Sequence, residues 1–400
     1  MKSTNPNHRA RTLAVHAGEQ PDQHTGASTP NLVMSSTYVV DEPISFSATN
    51  MKEDMPFFYT RWDNPTTRQL ELKLAALEGA EACATFASGM AASVAVLMSC
   101  LSAGDHLIVS DVNYAGTAEF VRDTLTRFGV EVSPVDTSDL EWVKNVIRPN
   151  TRLIWIETPA NPILRLADIE ALAAIAHEAG AELAVDSTFA SPIATRPLAL
   201  GADYVVHSLT KYIGGHGDAV GGAVLGAQDK VTPLVTEARV HYGGSMSPFN
   251  AWLIARGAAT LPIRMRAHEE NAFVVAEFLS GHPKVESVIY PGFETHPQHE
   301  LAKRQMDNFS GMIAVRVKDG ALVSEKMMEA LQVVHYAVSL GHHRSLIFYM
   351  PTQDLLESSF RLSGQARERY ESVAGDGLFR LSVGLEDAHD ICEDLGRVLD

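Results

Sequence analysis

Three side chains near the middle of the chain have the types and spacing to hold a phosphate and react with an aldehyde. They lie in ADYVVHSLTKYIGGHGDAVGGAVLG, residues 202–226, where a β-rich run leads into Ser208, Thr210 and Lys211 and glycines follow. Lys211 is the only lysine between Lys144 and Lys230. Hydroxyls and backbone N–H groups can hold a phosphate, and glycines let the backbone come close to it. A partly desolvated lysine can lose its proton and form a Schiff base. A turn with a solvated lysine would have the same local sequence, so this stretch alone leaves both readings open. Two nucleotide readings fail on detail. A phosphate-loop NTPase carries Gly-Lys-Ser/Thr after its glycines, whereas Lys211 precedes them. The dinucleotide fingerprint needs glycine or alanine where Val220 stands, and it opens a helix rather than a strand.

The elements that must position these groups alternate regularly. The pattern predicts a helix over Thr67–Glu78 stopped by Gly79, a strand at Cys83–Phe86, and an apolar helix over Gly89–Leu101 capped by Ser88. Strands follow at His106–Ser110, Glu131–Val135, Leu153–Glu157, Leu183–Asp186 and Tyr204–His207. Helices at Gly116–Phe128, Asp139–Ile147 and Asp168–Ala179 separate them, the last clearly amphipathic. This order implies an α/β fold with a mostly parallel sheet, whose ligands bind at the carboxyl ends of the strands. Thr158, Asn161, Asp186, Ser208, Thr210 and Lys211 all fall at such ends, which favours a single site.

The start of the chain, to about Tyr59, is loop-rich. FFYTRWDNPT, with three aromatics and an arginine, suits an arm lying on another subunit better than a free tail. If that segment is extended, Tyr59 and Arg61 face the same way. After Gly226 helices are expected at Ala251–Ala259, Ala267–Leu279, Leu322–Ala330 and Asp387–Leu399, with strands at Met312–Val317, Val334–Val338 and Leu378–Val383. This resembles a smaller α+β unit. The expected division is an arm over 1–62, a binding domain over 63–256 and a C-terminal domain over 257–400. Arg380 points away from Phe379 and Leu381, and could clamp a carboxylate if its face borders the cleft.

The totals narrow the classes. A net charge of −17 argues against nucleic-acid or anionic-membrane partners. Cys83, Cys100 and Cys392 show no metal-ribbon spacing and fit a reducing compartment. No apolar run reaches the length of a membrane span, so a cytoplasmic chain is expected. No metal is expected either. His268-Glu269 and His299-Glu300 begin like a zinc-protease helix, but Ala272 and Lys303 stand at the closing positions. The adjacent His342 and His343 are poor co-ligands and read as loop residues.

SLTKYIGGHGD, with YTRWDNPT, ASGM, ETPANP, VDST and FRLSVGLED in that order, resembles the cystathionine/methionine-metabolism family of pyridoxal-phosphate enzymes from about Thr12 onward. The resemblance implies fold type I, the aspartate-aminotransferase-like architecture, and pyridoxal 5'-phosphate as cofactor. It implies that Lys211 holds the cofactor as a Schiff base and moves protons, and that Asp186 pairs with the pyridinium nitrogen. Ser88, Gly89, Met90, Thr188, Ser208 and Thr210 are then cofactor-binding. Tyr59 and Arg61 reach the neighbouring subunit's phosphate, implying a homotetramer built as a dimer of dimers with shared active sites. Tyr114 stacks on the ring and serves as an acid, while Asn161, Ser339 and Arg380 hold the substrate's α-carboxylate. Lys211, Tyr114 and Arg380 together argue against a non-catalytic carrier.

The implied activity is a γ-lyase acting on an L-amino acid, with γ-replacement on an activated homoserine as the alternative. Departures from the family pattern bear on the subtype. Val338 stands where cystathionine-handling members carry glutamate, which disfavours cystathionine. Gly116 stands where methionine γ-lyases have cysteine. GHHRSLIFYMPT replaces the usual G-x-x-E-S-L stretch, with Arg344 at the glutamate position, and the segment 342–370 diverges throughout. The leaving group therefore stays open, with an O-substituted homoserine or canavanine among the choices.

Overall fold

The computed structural model describes residues 7–41, 43–44, 47–48 and 55–400; the rest of the expected arm, including the first six residues, lies outside the described residues. Seven strands form the first sheet: β1 Ala82–Phe86, β2 His106–Ser110, β3 Glu131–Val135, β4 Thr151–Glu157, β5 Glu182–Asp186, β6 Tyr204–Ser208 and β7 Gly222–Gly226. Their order is β1-β7-β6-β5-β4-β2-β3. β7 runs antiparallel to both β1 and β6, and β6 through β3 are parallel.

Burial on both faces explains why these strands read as continuous apolar runs. Leu107, Val109, Leu153 and Trp155 pack with Ala92, Val96 and Leu97 of the helix Gly89–Cys100. The alternate residues Ile108, Ile154 and Ile156 pack with Leu172 and Ala176 of the helix Ile169–Glu178. Helix ends follow the capping residues. Ser88 accepts the Ala91 N–H at 3.1 Å, and Asp168 accepts the Ala171 N–H at 3.2 Å. Gly79 ends its helix with φ +78°, a conformation that favours glycine.

A second sheet holds β8 Val285–Ile289, β9 Met312–Val317, β10 His335–Tyr336, β11 Leu346–Pro351 and β12 Gly377–Ser382, in the order β10-β11-β12-β9-β8. Phe379 and Leu381 of β12 enter the core under the C-terminal helix with Ile391 and Leu395, and Arg380 lies on the other face. A shared core including Leu70, Val205, Tyr212, Met312 and Leu378 joins the two sheets' surroundings.

Several expectations are corrected. The first residues are not all loop: Ala10–His16 is a helix whose Leu13 and Ala14 pack on Leu77 of the chain's own helix Pro65–Glu78. The chain is extended as far as Tyr59, which bridges Thr37 in antiparallel fashion, and turns immediately after it, so the condition for Tyr59 and Arg61 to face the same way is not met. The Trp62 and Asp63 N–H groups both donate to the Tyr59 carbonyl and close a turn. The expected helix over Gly116–Phe128 changes from α to π geometry at Phe120 and to 3₁₀ at Leu125, where Arg122 donates to the Ser358 and Ser359 carbonyls of a second π-helical turn. The expected strand Val334–Val338 shrinks to two residues, because the chain turns at Ser339 with φ +99°. β11 lies inside the divergent segment and the helix Gly364–Ala374 begins in it and runs past its end; neither was expected from the sequence.

Candidate active site

Lys211 lies three residues past the end of β6, in the connection that returns as β7. Its Nζ donates to Ser339 Oγ at 2.8 Å and forms no salt bridge with a described carboxylate. Burial, aided by the charge of Arg380, brings its pKa down to about 8. Arg380 donates to Asn161 Oδ1 at 2.9 Å and to the Ser339 carbonyl at 3.1 Å. The structure thus joins Lys211, Ser339, Arg380 and Asn161 in one hydrogen-bonded chain, although they come from four separate segments.

Asp186 ends β5. Its Oδ1 accepts the Thr188 hydroxyl at 2.6 Å and the Thr188 N–H at 3.1 Å. Thr188 Oγ1 in turn accepts the Ser208 N–H at 2.9 Å, so one threonine ties the ends of β5 and β6 together. Burial pushes the Asp186 carboxyl up, against the pull of both Thr188 bonds, and no described residue gives it a salt bridge. A buried carboxylate without a cation fits a protonated ring nitrogen.

The helix Gly89–Cys100 brings its N-terminus against the same place. A Cβ on Gly89 would lie 2.8 Å from both Cβ and Oγ of Ser208, and one on Gly222 would lie 2.1 Å from the Ser88 carbonyl oxygen. These glycines let a strand end and a helix start touch. The Gly89 and Met90 N–H groups have no intrahelical acceptor at that position, which suits a phosphate. Thr210 is less free than expected. Its hydroxyl exchanges hydrogen bonds with Gly221, accepting from N–H at 3.1 Å and reaching the carbonyl at 3.3 Å.

Tyr114 is 48% exposed at the start of the helix Ala115–Glu119. Its N–H donates to Glu157 Oε2 at 2.5 Å, and the Asn161 N–H donates to Glu157 Oε1 at 3.0 Å. Sequence reasoning missed Glu157 as a site residue. The signal was its place as the last residue of β4 inside ETPANP, directly opposite Asp186. Burial, then the charge of Asp186, pushes its carboxyl up. Tyr59 and Arg61 are not brought to this cluster. Arg61 donates to the Val240 carbonyl and sits 5.5 Å from the Tyr59 ring, and none of their described contacts reaches Ser88, Ser208 or Lys211.

A lysine without a carboxylate, a buried carboxylate without a cation and a helix N-terminus pressed on a serine suit one phosphorylated, ring-bearing aldehyde. Comparison with known proteins agrees. The model of the Cys/Met metabolism PLP-dependent enzymes matches residues 11–400. The chain belongs to this family. It is 43% identical over 391 residues to the L-methionine gamma-lyase of Porphyromonas gingivalis, covering 97% of this chain and 96% of the other. It is 42% identical over 388 residues to the cystathionine gamma-synthase of Mycobacterium tuberculosis, covering 97% and 96%. A canavanine gamma-lyase of Pseudomonas canavaninivorans is 42% identical over 394 residues, covering 98% and 96%. The crystal structure of metB from Corynebacterium glutamicum superposes with a TM-score of 0.89 at 38% identity, over 99% of both chains. As a member of the Cys/Met metabolism family the protein is a pyridoxal-phosphate enzyme of fold type I.

Proposed function

We propose that the protein is a γ-lyase that eliminates a γ-substituent from an L-amino acid and releases a 2-oxo acid and ammonia. The observation that carries this is the chain Lys211–Ser339–Arg380–Asn161, which sets a proton-moving amine beside a guanidinium able to hold an α-carboxylate. When bound, pyridoxal phosphate supplies an aldehyde that links to amines and a ring that stabilises negative charge at the substrate's Cα. Lys211 takes the Cα proton, passes it on so that its amine is neutral again, and then takes one from Cβ, and its lowered pKa suits that task. Tyr114 gives a proton to the departing group. Asp186 faces the ring nitrogen, and Ser88, Gly89, Met90, Ser208 and Thr210 face the phosphate, with Thr188 bracing Asp186 and Ser208.

Val338, on the loop before Ser339, offers no carboxylate to a distal ammonium, which disfavours cystathionine. γ-Replacement is the second reading, favoured by the 42% identity to a cystathionine gamma-synthase, which nearly equals that to the methionine gamma-lyase. Tyr59 and Arg61 serve the phosphate of a neighbouring subunit in a homotetramer, the arm spanning 1–62 and the two domains 63–256 and 257–400. The free cysteines fit a cytoplasmic setting.

The deciding experiment supplies β- and γ-substituted L-amino acids to the cofactor-loaded protein and identifies the product. 2-Oxobutyrate supports γ-elimination, a thioether formed with added thiol supports γ-replacement, and pyruvate alone overturns both. Lys211→Ala should abolish turnover while the far-ultraviolet circular dichroism stays unchanged. Size-exclusion chromatography with light scattering tests the tetramer.

A further inference from the structure

The oxygen that accepts from Lys211 has a second neighbour. Ser339 Oγ lies 2.8 Å from Lys211 Nζ and 3.3 Å from His342 Nε2. His342 belongs to the segment that departs from the family pattern, and its neighbour His343 points elsewhere, with its ring 5.5 Å from that of His216. The His342 ring is backed by Gly217, which has φ +71°. A Cβ there would lie 2.6 Å from His342 Cε1 and 2.7 Å from Nδ1. Backbone on one side and a serine hydroxyl on the other leave the ring little freedom. Ser339 itself holds φ +99°, which a non-glycine residue adopts only when its surroundings enforce it.

We propose that His342 is a positioning residue for Lys211, acting through Ser339. A serine hydroxyl offers one proton and two lone pairs. With neutral His342 accepting that proton at Nε2, the lone pairs of Ser339 turn to Lys211 and hold its amine in place. The neutral form is the one the surroundings favour. Burial and the charges of Lys211, His343 and Arg344 oppose protonation of His342, against the pull of Asp218. Arg380 acts on the same cluster by repelling charge on Lys211. The segment 342–370 therefore does more than shape the substrate's surroundings: its first residue touches the serine that holds the reactive amine. This inference rests on the reading of Lys211 as the proton-moving group.

The test uses the cofactor-free protein and no amino-acid substrate, so its failure is separable from failure of the γ-elimination reading. The pH dependence of Lys211 acetylation by acetic anhydride, followed by peptide mass spectrometry, reports the midpoint of that amine. His342→Ala should lower the midpoint by about half a unit or more, because the ammonium loses part of its acceptor. His342→Gln, whose side-chain oxygen can take the hydroxyl proton, should restore it. In a Ser339→Ala background, His342→Ala should add no shift. An unchanged or raised midpoint in His342→Ala, or the same downward shift with and without Ser339, overturns the proposal. Should His342→Ala loosen the fold, the nitrogen resonances of His342 decide instead: Ser339→Ala should move Nε2 and leave Nδ1, and movement of neither overturns it.

Discussion

Glu157 and Asp186 stand directly opposite each other at the carboxyl ends of neighbouring parallel strands, both buried and neither in a salt bridge with a described residue. Two carboxyls so placed resist ionising together, and each is held up by burial. Their remaining hydrogen bonds divide the labour. Asp186 is braced by Thr188, and Glu157 collects the N–H groups of Tyr114 and Asn161.

Removing the Asp186 charge should stabilise the cofactor-free protein. Its pKa is raised in the fold, so the ionised form is the disfavoured one and the penalty is present above the folded pKa. Asp186→Asn should therefore gain on the order of 1 kcal/mol at pH 7, a gain that shrinks as pH falls and the native carboxyl takes up its proton. Thermal unfolding at pH 7 and pH 5 measures both. The same variant should lose bound pyridoxal phosphate, read from its visible absorbance.

Glu157→Gln replaces one acceptor oxygen with a donor, so either Tyr114 or Asn161 loses its anchor. The cost of one such buried bond, about 1–2 kcal/mol, corresponds to a fall of roughly 5- to 30-fold in kcat/KM. Cofactor content should stay near wild type. Steady-state kinetics that show no fall would separate Glu157 from the site.

Gly116 lies under the tyrosine ring. A Cβ there would be 2.7 Å from Tyr114 Cε1 and 3.2 Å from Met90 Sδ, both ends of side chains that can move. Gly116→Ala should therefore leave the unfolding free energy nearly unchanged, within about 0.5 kcal/mol by denaturant titration. It should shift the ring and change the ratio of rates on sulfur- and oxygen-linked γ-substituents. An unaltered ratio would show that the ring position does not govern the leaving group.

Arg380 depresses the Lys211 pKa in addition to burial. Arg380→Gln should raise the acetylation midpoint of Lys211 above about 8 in the cofactor-free protein. The neutral amine then appears at higher pH, so the reactive fraction at pH 8 falls. KM for the amino acid should rise at least 10-fold, since a guanidinium fork is lost.

The parallel strands and their caps were legible because apolar runs alternate with amphipathic helices, and β2, β4, β5 and β6 end in the polar residues Ser110, Glu157, Asp186 and Ser208. Lys211, Asp186 and Ser208 could be placed from that order alone. Glu157 was not legible as a site residue. Its two bonds go to backbone N–H groups, which carry no sequence signature. The chain from Lys211 to Arg380 also escaped local reading, because it joins residues 128 and 219 positions apart through tertiary packing. The turn after Tyr59 was not legible, since its closing bonds are likewise main-chain. β11 was missed because LIFYMP shows no period and sits where family pattern fails.

β7 is the last strand of its sheet in the chain, yet it is inserted between β1 and β6 and runs against both. During translation Ala82–Phe86 must wait for Gly222–Gly226, on the order of ten seconds at about 5–20 residues per second. Until then the newborn chain shows the ribosome's surroundings an apolar edge. The loop that carries the reactive amine is held at its β6 end by β5 and is still open at its other end. The connection that carries Lys211 is therefore fixed at its far end only when β7 fills the gap in the sheet.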